Sequence, residues 1–174
     1  MNILFALVTA GILFFIFVLG GLSLAPWVPT RKRDVTRIHR MANLKKGEIF
    51  LELGCGDGRV AREIAIKNPE AICIGLEISP LLLAIAHFRN RLFPLPNLSF
   101  RRGNIFQEDL SKADVLYVFG RRESMKNIEK QVWNAKNKKG QRLLSYHFPL
   151  PKTPFTRKDG GEDQQEATIY EYVR

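Results

Sequence analysis

Gly54, Gly56 and Gly58 stand at alternate positions between two acids, Glu52 and Glu77. The apolar run Ile49-Phe50-Leu51 before them reads as a buried parallel strand. After them, Val60, Ala61, Ile64 and Ala65 fall on one face of a helix. A strand, a glycine turn and a helix together bring backbone N–H groups and a positive helix end close to a ligand. Glycine is needed there because side chains would block the approach and because the turn takes positive φ. The spacing is not the dinucleotide pattern, since Arg59 stands where that pattern places its last glycine. No Gly-Lys-Ser or Gly-Lys-Thr occurs, so a phosphate loop of the Walker type is absent. A second apolar run, Ala71 to Leu76, ends on Glu77, which falls about 20 residues past the turn, where an acid binds ribose hydroxyls.

These residues need elements to hold them. Alternating apolar runs and helical patterns predict strands at Ala71 to Glu77, Leu98 to Arg102, Ala113 to Phe119 and Gln141 to Phe148. Helices are predicted at about Asp34 to Asn43, after the glycine turn, at Pro80 to Phe93 with Ser79 as N-cap, and at Glu123 to Asn137 with Gly140 as its stop. Thr168 to Val173 reads as a final antiparallel strand, and part of Thr153 to Lys158 as a short one. The fold class is therefore α/β, a parallel sheet with helices on both faces. In such sheets ligands bind beyond the carboxyl ends of the strands. Gly54 to Gly58, Glu77, Asn104 and Phe119 all fall there.

The first motif, Glu52-Leu53-Gly54-Cys55-Gly56-Asp57-Gly58, resembles that of class I S-adenosylmethionine-dependent methyltransferases. The resemblance narrows with Trp27-Val28-Pro29-Thr30, Gly103-Asn104-Ile105-Phe106 and Phe148-Pro149-Leu150-Pro151. With these the chain is similar, over most of residues 26–151, to the membrane-anchored protein lysine methyltransferases of the ADP/ATP carrier and the ATP synthase c subunit, and to their prokaryotic relatives. This implies a Rossmann-like methyltransferase sheet, seven-stranded in type, here compact with as few as six strands. It implies S-adenosylmethionine as cofactor, with backbone contacts along Gly54, Cys55, Gly56, Asp57 and Gly58. Glu77 would hold the ribose and Asn104 would lie near the adenine, with Thr30, Glu52, Ile105 and Phe119 completing the set. Two stretches depart from the family pattern, Phe119-Gly120-Arg121-Arg122 and Tyr146-His147, and by the resemblance both would border the acceptor pocket. Tyr146 and His147 are the candidates for orienting an acceptor amine; packing or capping at a strand end is the competing role.

Residues 1–30 carry no charged side chain, and Ile3 to Leu24 is almost wholly apolar. At ~1.5 Å per residue this run can cross a bilayer core of ~30 Å. An uncleaved anchor over residues 1–25 is expected, ahead of a cleaved signal peptide and a buried core helix, with a basic segment and amphipathic helix over 26–45 and the methyltransferase domain over 46–174. Arg31, Lys32, Arg33, Arg37 and Arg40 follow the run and would meet anionic headgroups. They place the domain on the cytoplasmic side, or the matrix side in a mitochondrion. Net charge is +10, which suits an anionic partner. Cys55 and Cys73 make no Cys-x-x-Cys pair, so neither zinc nor a disulfide framework is expected. Nucleic acid is a weak acceptor: the Asn/Asp-Pro-Pro-aromatic tetrapeptide and any Pro-Cys dipeptide are absent. A lysine of an integral membrane protein is the expected acceptor. A lipid or quinone-like small molecule is the rival, and a membrane-bound cofactor-binding module without turnover is the alternative of another class.

Overall fold

Strand β1 (Ile49–Leu53) is buried at four of its five positions, as expected of a strand covered on both faces. It sits in the middle of the sheet in a computed structural model that describes residues 5, 7–12, 29–133, 138–160 and 166–174. Its neighbours are β2 (Ile72–Glu77) and β4 (Val115–Val118), both parallel to it. Beyond β2 lies β3 (Leu98–Arg102), and beyond β4 lies β5 (Arg142–Tyr146). Two further strands close the other edge, β6 (Arg157–Asp159) and β7 (Ile169–Val173). Their antiparallel pairing completes the order β3-β2-β1-β4-β5-β7-β6. The sheet thus has seven strands, not six. The short strand expected within Thr153 to Lys158 forms at Arg157–Asp159, ending one residue past that range, because it pairs with Ile169, Tyr170 and Glu171.

Helices α1 (Lys32–Ala42), α2 (Arg59–Lys67) and α3 (Pro80–Leu92) cover one face, and α4 (Met125–Val132) the other. On the first face Val35, Ile38 and Met41 of α1 and Val60, Ala61 and Ile64 of α2 pack over Phe50, Val115 and Leu144. On the second, Met125, Ile128 and Val132 of α4 meet Leu51, Leu116 and Leu143. The helix predicted to open at Glu123 begins with a 3₁₀ turn, Arg122–Ser124, and residues 134–137 lie outside the described part. Ser79 caps α3 and Pro80 occupies its first turn. Among the described residues no helix is long and apolar enough to cross a membrane, and most of the apolar run from Ile3 to Leu24 lies outside them.

One expectation is corrected here. Arg37 does not face lipid: it is buried, and its guanidinium spends all five N–H donors inside the protein. Nη1 donates to Asp34 at 2.9 Å and to the Ala167 carbonyl at 3.0 Å; Nη2 donates to Asp159 Oδ1 at 2.6 Å and its carbonyl at 2.9 Å; Nε completes the fork at 3.1 Å. The desolvation of a buried guanidinium is offset only when its partners are this complete. The network pins α1 to the ends of β6 and β7. Arg37→Ala should therefore lower unfolding free energy by about 3–5 kcal/mol, because the buried Asp34 loses its cation. Urea unfolding followed by circular dichroism checks this, and Arg37→Lys should recover only part of the loss.

Candidate active site

The parallel strands end side by side at Leu53, Glu77, Arg102, Val118 and Tyr146. This edge gathers the predicted residues. The turn after β1 takes positive φ at Gly54 (78°), Gly56 (55°) and Gly58 (75°), the left-handed region open to glycine. A Cβ on Gly58 would also come within 2.4 Å of the Phe100 ring. Gly58 is the N-cap of α2 and brings no capping side chain. Glu52 supplies the missing acceptor from the strand: its Oε2 takes the Ala61 N–H at 2.7 Å. Burial pushes the Glu52 carboxyl well above its usual range; the Ala61 N–H works against this, and the nearby Asp57 and Glu77 charges add to it.

Glu77 is buried at the end of β2 and holds two backbone groups, Gly56 N–H on Oε2 and Ser79 N–H on Oε1, each at 2.8 Å. Each oxygen keeps a lone pair for a further donor. Asp57 is also buried, between the guanidinium groups of Arg59 and Arg89. Burial raises its pKa, but the Arg59 hydrogen bonds and both cations outweigh that and hold it below the usual carboxylate range. Cys55 is buried; its N–H, like that of Gly54, donates to the Leu76 carbonyl, and burial pushes its thiol far up.

Asn104 follows β3 in an Asx turn, with Oδ1 accepting the Phe106 N–H at 3.0 Å, and Ile105 is buried beside it. Phe119 follows β4 and meets Tyr146 edge to face, with centroids 4.7 Å apart. Thr30 is buried and lies close enough to the Tyr117 hydroxyl to act on its ionisation. That hydroxyl is itself buried and has no hydrogen-bond partner among the described residues. Tyr146 is buried at the end of β5, and its hydroxyl donates to Asp34 Oδ2 at 2.8 Å. Burial, and then the Asp34 carboxylate, raise the Tyr146 pKa far above that of a free phenol. His147 is exposed, with φ of 73° and its backbone N–H on the Thr168 carbonyl. Its ring lies edge to face on Phe148. The structure thus brings Tyr146 to Phe119 and leaves His147 at the rim. Sequence reasoning missed Asp34 and Tyr117. The signal for Asp34 was its place three residues before Arg37 in a first helical turn, where ion pairs form.

Residues 52–157 match the model of the ANTKMT methyltransferase domain. The chain belongs to that family. It is an S-adenosylmethionine-dependent methyltransferase. A protein-lysine N-methyltransferase of Saccharolobus islandicus is 30% identical over 162 residues, which is 85% of this chain and 92% of that one. A demethylmenaquinone methyltransferase of Tropheryma whipplei is 33% identical over 125 residues, covering 68% of this chain and half of that one. In fold, the chain is similar to an RNA methyltransferase of Salinibacter ruber, solved with S-adenosyl-L-homocysteine. The TM-score is 0.77 at 24% identity, over 84% of this chain and 93% of that one.

The residues fit such a cofactor. A glycine loop at a helix start and a carboxylate with spare lone pairs lie together on one edge of the sheet. Because Glu77 also latches the loop, Glu77→Ala should cost more than the ribose contact. Cofactor affinity should fall by about 1.5–3 kcal/mol, as for hydrogen bonds to a charged group, and fold stability by about 1–3 kcal/mol for each buried N–H left unsatisfied. Calorimetry and urea unfolding separate the two. Glu52 gives a pH test. Its folded pKa is raised, so its contribution to stability is full below the ordinary glutamate range and is lost as pH rises toward the folded value. Glu52→Gln keeps an acceptor for Ala61 N–H without the charge. Its unfolding free energy should gain on wild type as pH rises from 5 to 8, a range of about three units over which ordinary glutamates stay ionised.

Proposed function

We propose that the chain transfers the methyl group of S-adenosylmethionine to the side-chain nitrogen of a lysine in an integral membrane protein. The observation that carries this reading is the direction of the Tyr146 hydrogen bond. Its single proton is given to Asp34. Only acceptor lone pairs then remain for anything that reaches the oxygen. A group so disposed takes N–H donors, and an amine is such a group. When bound, the cofactor supplies the electrophilic methyl on a sulfonium. The chain's own part is to hold the amine with its lone pair in line, about 3–3.5 Å from the methyl, and to keep water out. Tyr146 accepts an N–H of the incoming amine, Phe119 walls the same space, and His147 stands at its mouth. Burial among aromatic rings favours the neutral amine, which is the nucleophilic form. The loop from Gly54 to Gly58 with Glu77, Thr30, Asn104 and Ile105 holds the cofactor. The relative from Saccharolobus islandicus, a protein-lysine N-methyltransferase, supports the lysine acceptor.

Placement at the membrane rests on the sequence before α1. The apolar run from Ile3 to Leu24 is long enough to span, and Arg31, Lys32 and Arg33 follow it. We place the domain on the cytoplasmic side, or the matrix side in a mitochondrion, where the acceptor is a lysine on a loop at the bilayer surface.

The test is transfer from methyl-labelled cofactor into membranes by the full chain. Label should appear as methyl-lysine after hydrolysis of the protein fraction. Label in the lipid extract would replace this reading with a small lipid acceptor, as in the relative that acts on demethylmenaquinone. Tyr146→Phe should lower kcat about 10- to 100-fold, the loss of one hydrogen bond worth 1.5–3 kcal/mol, with cofactor affinity nearly unchanged.

A further inference from the structure

The outward face of α3 carries an apolar ridge that the methyltransfer site does not use. Leu81, Ile85, Phe88 and Leu92 are spaced four, three and four residues apart and so share one face. All four are exposed, Phe88 by 62% and Leu92 by 56%, and Phe93 extends the ridge at 68%. Of this helix only Leu83 and Ala86 are buried. At about 100° per residue, Arg89 lies on one flank of the ridge and Arg91 on the other. Both are exposed, although Arg89 also bonds Asp57. From Ile78 to Gln107 there is no acidic residue, while Arg89, Arg91, Arg101 and Arg102 fall within that stretch.

We infer that α3 lies in the surface of an anionic bilayer, with Leu81, Ile85, Phe88 and Leu92 among the upper acyl chains and Arg89 and Arg91 against the phosphates. An apolar face flanked by cations is the form of helices that rest in a membrane interface. Each flanking arginine adds electrostatic attraction to acidic headgroups. A second copy of the chain is a poorer occupant: it would set the arginine flanks of two chains against each other at a net charge of +10 each. The helix layer agrees with this orientation. α3 shares its side of the sheet with α1, whose exposed Lys32 and Arg40 come after the apolar run in sequence. The inference extends the membrane placement proposed above and is independent of which acceptor is methylated.

The test uses the full chain without methyl donor, on vesicles of equal parts phosphatidylglycerol and phosphatidylcholine and on vesicles of phosphatidylcholine alone. A fluorophore sensitive to its surroundings is attached at Phe88→Cys, and separately at Lys126→Cys on α4, across the sheet. The two native cysteines are buried and stay unlabelled. The label at position 88 should shift to the blue and be quenched by lipids brominated high on the acyl chain, more strongly in the anionic vesicles. The label at 126 should stay in water. Arg91→Glu should reduce the quenching at 88 severalfold. A label at 88 that remains in water while the chain stays on the vesicles overturns the inference and leaves the anchor standing. Quenching at 88 that appears only when a protein partner is added overturns it in favour of that partner, and a chain that does not bind the vesicles overturns it together with the anchor. The acceptor is decided separately, by the label-transfer experiment.

Discussion

The molecule depends on how the backbone N–H groups of one glycine turn are satisfied. In a turn that leaves β1 through left-handed glycines and enters α2 without a capping side chain, the Leu76 and Cys55 carbonyls accept Gly54, Cys55 and Gly58 N–H but leave others open. Two carboxylates on adjacent strands take two of those. Glu52 accepts Ala61 N–H at the helix start, and Glu77 accepts Gly56 N–H in the turn and Ser79 N–H at the start of the next helix connection. A buried donor without a partner is costly, so the two acids fix the turn relative to the sheet. The glycine turn is therefore held in place by two carboxylates, one of which, Glu77, is also proposed to meet the cofactor.

These carboxylates do not share one electrostatic state. Asp57 sits between two guanidinium groups and is held below the usual carboxylate range, whereas Glu52 sits deeper and is pushed up by burial and by the nearby acids. Three acids within a few residues of one another in space would otherwise repel. The arrangement keeps negative charge toward Arg59 and Arg89 and away from the strand core.

A second polar assembly holds the end of β5. Tyr146, Asp34 and Arg37 form a chain from the end of β5 through α1 to Asp159 and Ala167 near the far edge of the sheet. Every donor of Arg37 is used, so α1 has one well-defined seat. That seat joins the segment following the apolar run to the phenol proposed to receive the acceptor. One buried arginine thus ties that segment to Tyr146 through Asp34.

Much of this was legible in the sequence. The glycine spacing, the acids at strand ends and the alternation of apolar runs are local patterns, and local patterns fix which residues become strands, turns and helices. They placed β1 to β5, the antiparallel β7 and the carboxyl edge where Glu77, Asn104 and Phe119 meet. What the sequence could not decide was set by contacts between distant segments. Arg37 reads as one more surface cation until Asp159 and Ala167, over 120 residues away, close around it. Tyr146 reads as a residue facing the acceptor, but its proton is committed to Asp34, at a sequence separation of 112. β6 forms late in its loop because register with β7, not its own composition, selects the residues that pair. The sequence does not say which way the apolar residues of α3 point; the placement of the helix against β2 and β3 turns Leu81, Ile85, Phe88 and Leu92 outward. Composition determined which groups the chain possesses; tertiary packing decided which of them kept a free donor, a free acceptor or a free face.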